Sequence, residues 1–157
     1  MSTLVMKNKL IYIFLTGFYS GKSKYMPGTS GTLVGVLIFQ LISFNTLYEN
    51  IFLLLVLFLS SILLLNYSYE KSIFLDKDDK SIVIDEILGY LIFMIFFENN
   101  IKNVIFGFIL FRFFDIVKPF PISLVDKKIK NSFGVMLDDI IAALFSGIIL
   151  FIISYVF

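Results

Sequence analysis

Long apolar runs separated by short polar stretches organise this chain. Six of them stand out, and they cover residues 9–20, 32–44, 51–66, 82–97, 101–118 and 139–157. None shows the strict alternation of a half-buried strand, and all exceed the usual strand length, so each predicts a helix. The runs at 51–66 and 139–157 approach the ~20 residues that a helix needs to cross a bilayer. We therefore expect one all-α domain over residues 1–157, embedded in a membrane through three or four spans.

The connections between the runs carry most of the turn-forming and charged residues. Residues 20–32, 70–81, 98–103 and 118–134 are rich in Gly, Ser, Pro, Asn or charged side chains, and this pattern predicts loops. The first apolar run follows basic residues, as in a signal peptide, but no small-residue cleavage site follows it. We expect it to form a retained first helix.

The composition narrows the class of protein and its chemistry. Hydrophobic residues make up 59% of the chain and the mean hydropathy is +0.94, which favours a membrane protein over an unusually apolar soluble bundle. A net charge of +1 gives no reason to expect a nucleic-acid partner. The chain has no Cys and no His, which excludes disulfides, thiolate nucleophiles and a histidine base. Any catalysis must use carboxylates, hydroxyls, Lys, Arg or a bound metal.

Several charges nevertheless lie within or beside the apolar runs. They are Asp85, Glu86, Asp115, Asp138 and Asp139, together with Arg112 and Lys118, so five negative charges face two positive ones. A charge at membrane depth is costly and normally meets a partner, a cavity or a site. Structural ion pairs would account for one or two of these carboxylates. The surplus favours a divalent cation, and an oxygen-only ligand set favours Mg²⁺, with Mn²⁺ and Ca²⁺ as alternatives.

A Gly-rich stretch adds a second kind of ligand group. Gly28 and Thr29 lie in the sequence "YMPGTSGTLVG", which we expect to be a loop that precedes an apolar helix. Backbone N–H groups at a helix start bind anions well. Because carboxylates that could bind a metal and two cationic side chains accompany it, this stretch indicates that the ligand contains a phosphate group.

Three blocks of the sequence resemble the phosphatidylglycerophosphatase A family. They read "GFYSGKSKYMPGTSGTL", "SIVIDEILGYLI" and "FRFFDIVKPFPISLVDKKIKNSFGVMLDDIIAALFSG", and the likeness runs from about Lys9 to the end of the chain. The third block is the most specific, with F-R-x-x-D-x-x-K-P-x-P-I, a later D, and G-x-M-x-D-D. The resemblance implies a helical bundle around a central helix in the bacterial inner membrane. It also implies Mg²⁺-dependent hydrolysis of phosphatidylglycerophosphate to phosphatidylglycerol.

The resemblance also implies a role for each candidate residue. The metal and catalytic set would be Asp85, Glu86, Asp115, Asp138 and Asp139, and the phosphate ligands would be Arg112, Lys118, Gly28 and Thr29. The nucleophile is left open between an activated water and a carboxylate that forms an aspartyl-phosphate.

Other assignments follow from the loops and from rival functions. Lysines in the early and late loops favour a cytoplasmic site. The rivals are a small ion or proton carrier that uses buried carboxylates, and a structural membrane subunit. The sequence leaves the oligomeric state open.

Overall fold

The computed structural model describes residues 2–43, 45–74 and 79–156, and every regular element within them is a helix. The α-helices are α1 (Ser2–Leu15), α2 (Pro27–Ile42), α3 (Leu47–Glu70), α4 (Ile84–Met94), α5 (Ile101–Val117), α6 (Ile122–Lys128) and α7 (Ser132–Val156), with a 3₁₀ turn at Ser20–Lys22. The described part of the chain contains no strand. The predicted all-α class is therefore confirmed.

Helix α4 is the central element of the bundle. Most of its side chains are buried, including Tyr90, Leu91 and Met94 without any exposed surface. It packs against α2, α3, α5 and α7. A helix that is apolar on all sides is stable only when other helices surround it. This arrangement matches the bundle around a central helix that the family resemblance implies.

The helices alternate in direction, so that the functional residues meet at one end. Helices α2, α4 and α7 begin there, and α3 and α5 end there. Ser132 Oγ donates a hydrogen bond to Asn66 Oδ1 and so ties the start of α7 to the end of α3. At the other end, Asn99 Nδ2 donates to Gln40 Oε1 and Ser43 Oγ, each at 2.9 Å. We call the end that holds Asn66 and Ser132 the polar end.

Two stretches that we expected to be loops are partly helical. Helix α2 begins at Pro27, so Gly28 and Thr29 lie in its first turn, and α6 forms after Pro121. The loop prediction at Pro27 was wrong because proline's fixed φ and missing N–H suit the first position of a helix. The loop prediction after Pro121 was wrong because a short helix follows that proline, which is the N-cap of α6. The loop predicted at 70–81 falls partly on residues 75–78, which lie outside the described residues.

The outer surface of the bundle is strongly apolar. On α2, Leu33, Leu37 and Leu41 face outward with 52%, 65% and 76% of their surface exposed. Within the described residues, two helices, α3 and α7, are long and apolar enough to cross a membrane, and α2 is a shorter apolar helix. Of the three or four membrane spans that we expected, two are therefore supported by helix length and composition.

Close backbone contacts hold the polar end together. A Cβ atom on Gly134, in the first turn of α7, would lie 1.9 Å from the carbonyl oxygen of Ile129, which follows α6. The clash would be with backbone, so rotation of a side chain cannot relieve it. Gly134 therefore sets the distance between α6 and α7.

We predict that Gly134→Ala destabilises the fold by about 1–3 kcal/mol, because the backbone around Ile129 must move away. Thermal unfolding of detergent-solubilised protein, followed by circular dichroism, measures the loss. Gly147→Ala is the matched control, because its Cβ would meet Phe93 Cβ at 3.2 Å, a milder contact. Equal unfolding temperatures for the two variants would contradict the close approach.

Candidate active site

Three carboxylates converge at the polar end. Asp85 and Glu86 lie in the first turn of α4, where the positive end of the helix dipole favours acidic side chains. Asp139 comes from α7. One oxygen atom of each residue lies within 4.8 Å of the others. We call Asp85, Glu86 and Asp139 the carboxylate cluster.

The carboxylate cluster fits a hard divalent cation. Glu86 Oε2 and Asp139 Oδ2 are buried and accept no hydrogen bond from the described part of the chain. Buried acceptors without a partner are costly, and three converging carboxylates also repel one another. A divalent cation with oxygen ligands would satisfy both oxygens and offset the repulsion. The oxygen donors suit Mg²⁺, Mn²⁺ and Ca²⁺ alike.

Burial and crowding both disfavour ionisation of the carboxylates on α4. Burial raises the pKa of Asp85 well above its usual range, and the charge of Glu86 adds to this rise. Burial likewise raises the pKa of Glu86 to about 7. Without a cation, both carboxyl groups therefore hold their protons to higher pH than exposed acids do.

Arg112 borders the cluster from α5. Its Nη1 donates to Asp115 Oδ2 at 2.5 Å and to Thr32 Oγ1 at 3.3 Å, while its Nε is buried without a partner among the described residues. A Cβ atom on Gly28 would lie 2.3 Å from Glu86 Oε1 and 2.9 Å from Arg112 Nη2. Glycine is needed at position 28 because any side chain there would enter the site.

Lys118 follows Arg112 on the same helix and lines the site with Asp85 and Asp138. It ends α5 with a left-handed backbone, φ 44° and ψ 57°, directly before Pro119, which disfavours the right-handed helical region. Its Nζ lies 2.5 Å from Asp138 Oδ2 and 2.7 Å from Asp126 Oδ1. Burial alone would lower the pKa of Lys118, but its bonds to Asp126 and Asp138 outweigh burial and raise it.

A cleft of about 410 Å³ opens beside these residues. Its walls come from the segment before α4, from α6 and from the start of α7. Asp85, Lys118, Asp126 and Asp138 all line it. One member of the carboxylate cluster, Asp85, therefore lines the same cleft as the two ion pairs of Lys118.

The structure sorts the predicted residues into two groups. Asp85, Glu86 and Asp139 form the carboxylate cluster, whereas Asp115 and Asp138 each bind a cationic side chain of the chain itself. Arg112, Lys118 and Gly28 border the site, and Thr29 is half-buried in the first turn of α2. The metal roles predicted for Asp115 and Asp138 stay predictions.

Two further polar residues of the site are absent from the predicted set. Thr32 contacts Arg112, and Asp126 contacts Lys118. Thr32 lies one helical turn after Gly28, a relation that only the true start of α2 reveals. Asp126 is the isolated D of the third sequence block, to which the sequence alone assigned no role.

Comparison with known proteins identifies the family of this chain. Residues 13–154 match the sequence model of the family Phosphatidylglycerophosphatase A. The chain belongs to the phosphatidylglycerophosphatase A family. The family resemblance noted in the sequence is therefore confirmed, and membership makes the chain an enzyme of the phosphatase class.

Three individual proteins are similar to this chain over most of their own length. A Phosphatidylglycerophosphatase A of Haemophilus influenzae is 35% identical over 92% of this chain and 89% of its own length. Another from Escherichia coli is 32% identical over 92% of this chain and 83% of its own length. A Bacteroides thetaiotaomicron protein, provisionally named a phosphatidylinositol-3-phosphatase, is 33% identical over 90% of this chain and 91% of its own length. No solved structure matches the chain.

We predict that Mg²⁺ stabilises the chelated, detergent-solubilised protein and that Asp139→Asn abolishes this effect. The variant removes one of the three converging negative ligands but keeps the side-chain volume. Thermal unfolding with and without Mg²⁺ measures the shift, which ligand linkage requires for any cation that binds the folded state alone. Glu70→Gln, which removes an exposed charge at the polar end, is the control and should keep the full shift. If Asp139→Asn keeps the full Mg²⁺-induced shift in unfolding temperature, Asp139 is not a ligand of the cation.

Stability should depend on pH in opposite ways with and without the cation. Between pH 4.5 and about 7 the unfolded Glu86 carboxyl has lost its proton while the folded one keeps it. The folded state then binds more protons, so the metal-free fold loses stability as pH rises through this window. With Mg²⁺ the trend should reverse, because only ionised carboxylates bind it. Unfolding temperatures across the window test this, and identical profiles with and without Mg²⁺ would contradict it.

Proposed function

We propose that the chain is a Mg²⁺-dependent lipid phosphatase that hydrolyses phosphatidylglycerophosphate to phosphatidylglycerol and phosphate. The observation that carries the proposal is the carboxylate cluster beside Arg112 and Lys118, in a chain of this family. A cation site alone would suit many proteins. A cation site with two positive side chains beside it suits a phosphate monoester, whose three non-bridging oxygens share the negative charge.

The phosphate would sit between Arg112, Lys118 and the start of α2. Met26, at the N-cap of α2, provides no side-chain cap, so the N–H groups of the first turn are left for another acceptor. Arg112 is held by Asp115 and Thr32, which fixes the plane of its guanidinium group. A fixed guanidinium can offer two parallel N–H groups to phosphate oxygens.

The carboxylate cluster would hold Mg²⁺. When bound, Mg²⁺ supplies positive charge next to the phosphoryl oxygens and favours an ionised water nucleophile. We assign proton acceptance to Asp138, because its Oδ1 is buried without a partner among the described residues and the residue lines the cleft. Arg112 and Lys118 offset negative charge that develops as the bond between phosphorus and the glycerol oxygen breaks.

The outer surface supports a multi-pass membrane protein. Apolar side chains face outward along α2, α3, α5 and α7, for example Leu37, Phe52, Ile109 and Phe151, each more than half exposed. Continuous apolar surface of this extent normally meets lipid or another protein. Helices α3 and α7 have the length to cross the bilayer, and α2 and α5 would follow them for most of its thickness.

The distribution of lysines supports a cytoplasmic active site. The connections at the polar end contain eight described lysines: Lys22, Lys24, Lys71, Lys80, Lys118, Lys127, Lys128 and Lys130. The two connections at the opposite end, 43–46 and 95–100, contain no Lys or Arg in the sequence, and Lys102 lies at that end in the first turn of α5. Because basic loops stay in the cytoplasm, the polar end would face the cytoplasm of a bacterial cell.

A substrate comparison tests the proposal. We predict that phosphatidylglycerophosphate is hydrolysed far faster than glycerol 3-phosphate, because binding of the apolar chains can be used in the transition state. Phosphate release in detergent micelles, with Mg²⁺ present, measures catalytic efficiency on both. Phosphatidylinositol 3-phosphate is included because one relative carries that name. Equal efficiency on lipid and soluble esters would refute the lipid-phosphatase proposal.

Arg112→Lys belongs to the same test. It keeps the charge but loses the planar fork, so turnover should fall about 10²-fold or more, as for loss of one transition-state donor. Lys102→Arg, at the opposite end of the bundle, is the matched control and should keep turnover unchanged. Normal turnover in Arg112→Lys would contradict the role of Arg112 in phosphate binding without contradicting the cation site.

A further inference from the structure

Lys118 is shared between two carboxylates on different helices. Asp138 on α7 is almost buried, with 7% of its side chain exposed, whereas Asp126 on α6 is 36% exposed. An ammonium group has three N–H donors. Two are directed to these carboxylates, which leaves the third for a ligand in the cleft that Lys118 lines.

The backbone at Lys118 is arranged to make this contact. A non-glycine residue with φ 44° is unfavourable by about 1 kcal/mol or more, and such conformations persist only when surrounding contacts require them. Here the chain turns sharply at Pro119 and enters α6 within a few residues, which carries Asp126 back beside Lys118. The turn thus places a lysine and its carboxylate partner on the same side of the cleft.

Asp126 is separate from the carboxylate cluster. Three carboxylates converge within 4.8 Å in the described part of the chain, and Asp126 is not among them. Its recorded ion pair is with Lys118, and Lys127 and Lys130 act on it through their charges. Asp126 also lines the cleft, and its ion pair with Lys118 is the contact through which we expect it to act on the site.

We propose that Asp126 is a positioning residue that keeps Lys118 directed toward the substrate phosphate. With Asp138 as sole partner, the ammonium would settle against the buried carboxylate and withdraw from the cleft. Asp126 draws it toward the cleft mouth, so that Lys118 can exchange its bond to Asp138 for a phosphate oxygen while one carboxylate still holds it. This inference rests on the proposed function, because it assigns Lys118 to the phosphate.

A double-mutant cycle distinguishes positioning from a structural role. Asp126→Asn should lower kcat/KM about tenfold, mainly through kcat, because Lys118 is misplaced where charge develops. Lys118→Met should lower it about a hundredfold. Adding Asp126→Asn to Lys118→Met should change nothing further, within about twofold, because the residue through which Asp126 acts is gone. Lys118→Gln replaces Lys118→Met if the latter fails to fold.

Three comparisons complete the experiment. Asp126→Glu should restore most of the activity, since a carboxylate returns to within reach of Lys118. Glu70→Gln, an exposed acid of the polar end outside the cleft, should keep wild-type activity. The Mg²⁺-induced rise in unfolding temperature should be the same in Asp126→Asn and wild type, because Asp126 lies outside the carboxylate cluster.

The possible failures are distinguishable. Wild-type protein without phosphatase activity on the lipid would overturn the proposed function and this inference with it. An active wild type in which the Asp126→Asn and Lys118→Met losses multiply, or in which Asp126→Asn keeps more than half of the activity, would overturn only the positioning role.

Discussion

Mutual repulsion among carboxylates is the constraint on which the polar end of this bundle depends. Asp85, Glu86, Asp115, Asp138 and Asp139 act on one another through their charges, in surroundings where little water screens them. Two side-chain cations are too few to neutralise five acids. The chain meets the surplus in two ways: it pairs Asp115 with Arg112 and Asp138 with Lys118, and it leaves the carboxylate cluster for a cation from solution.

The backbone is shaped so that these charges can approach. Glycine at position 28 lets α2 pass within van der Waals distance of Glu86 and Arg112. Glycine at position 89 lets α4 approach Phe111 and Asp139 in the same way. Larger residues would separate the helices and weaken every electrostatic contact between them, because Coulomb energy falls with distance. Close helix packing and the chemistry of the site therefore depend on the same small residues.

The sequence predicted the helices well because they follow from local patterns. Long apolar runs located six of the seven α-helices in the described part of the chain, and charges in or beside those runs marked Asp85, Glu86 and Asp139, which the structure brings together. The prediction failed where prolines begin helices, at Pro27 and before α6, because a proline after polar residues resembles a loop. The sequence could not predict which acids join the carboxylate cluster and which form ion pairs, because this depends on which helix ends meet in space. Asp126 was missed for the same reason: its partner Lys118 is eight residues away, across a turn.

The depth of the site within the bundle explains why a lipid phosphatase can be so apolar. At 1.5 Å per residue, Asp139 lies about 10 Å along α7 from Ser132. The uncharged stretch 140–156 that follows is about 25 Å long, close to the ~30 Å hydrocarbon thickness of a bilayer. In the proposed orientation the carboxylate cluster then lies at the boundary between hydrocarbon and headgroups. At that level a lipid phosphate would reach the cluster without leaving the membrane, and water would reach it through the cleft at the polar end. The apolar bundle would thus hold the charges at a depth where cation, lipid phosphate and water can meet.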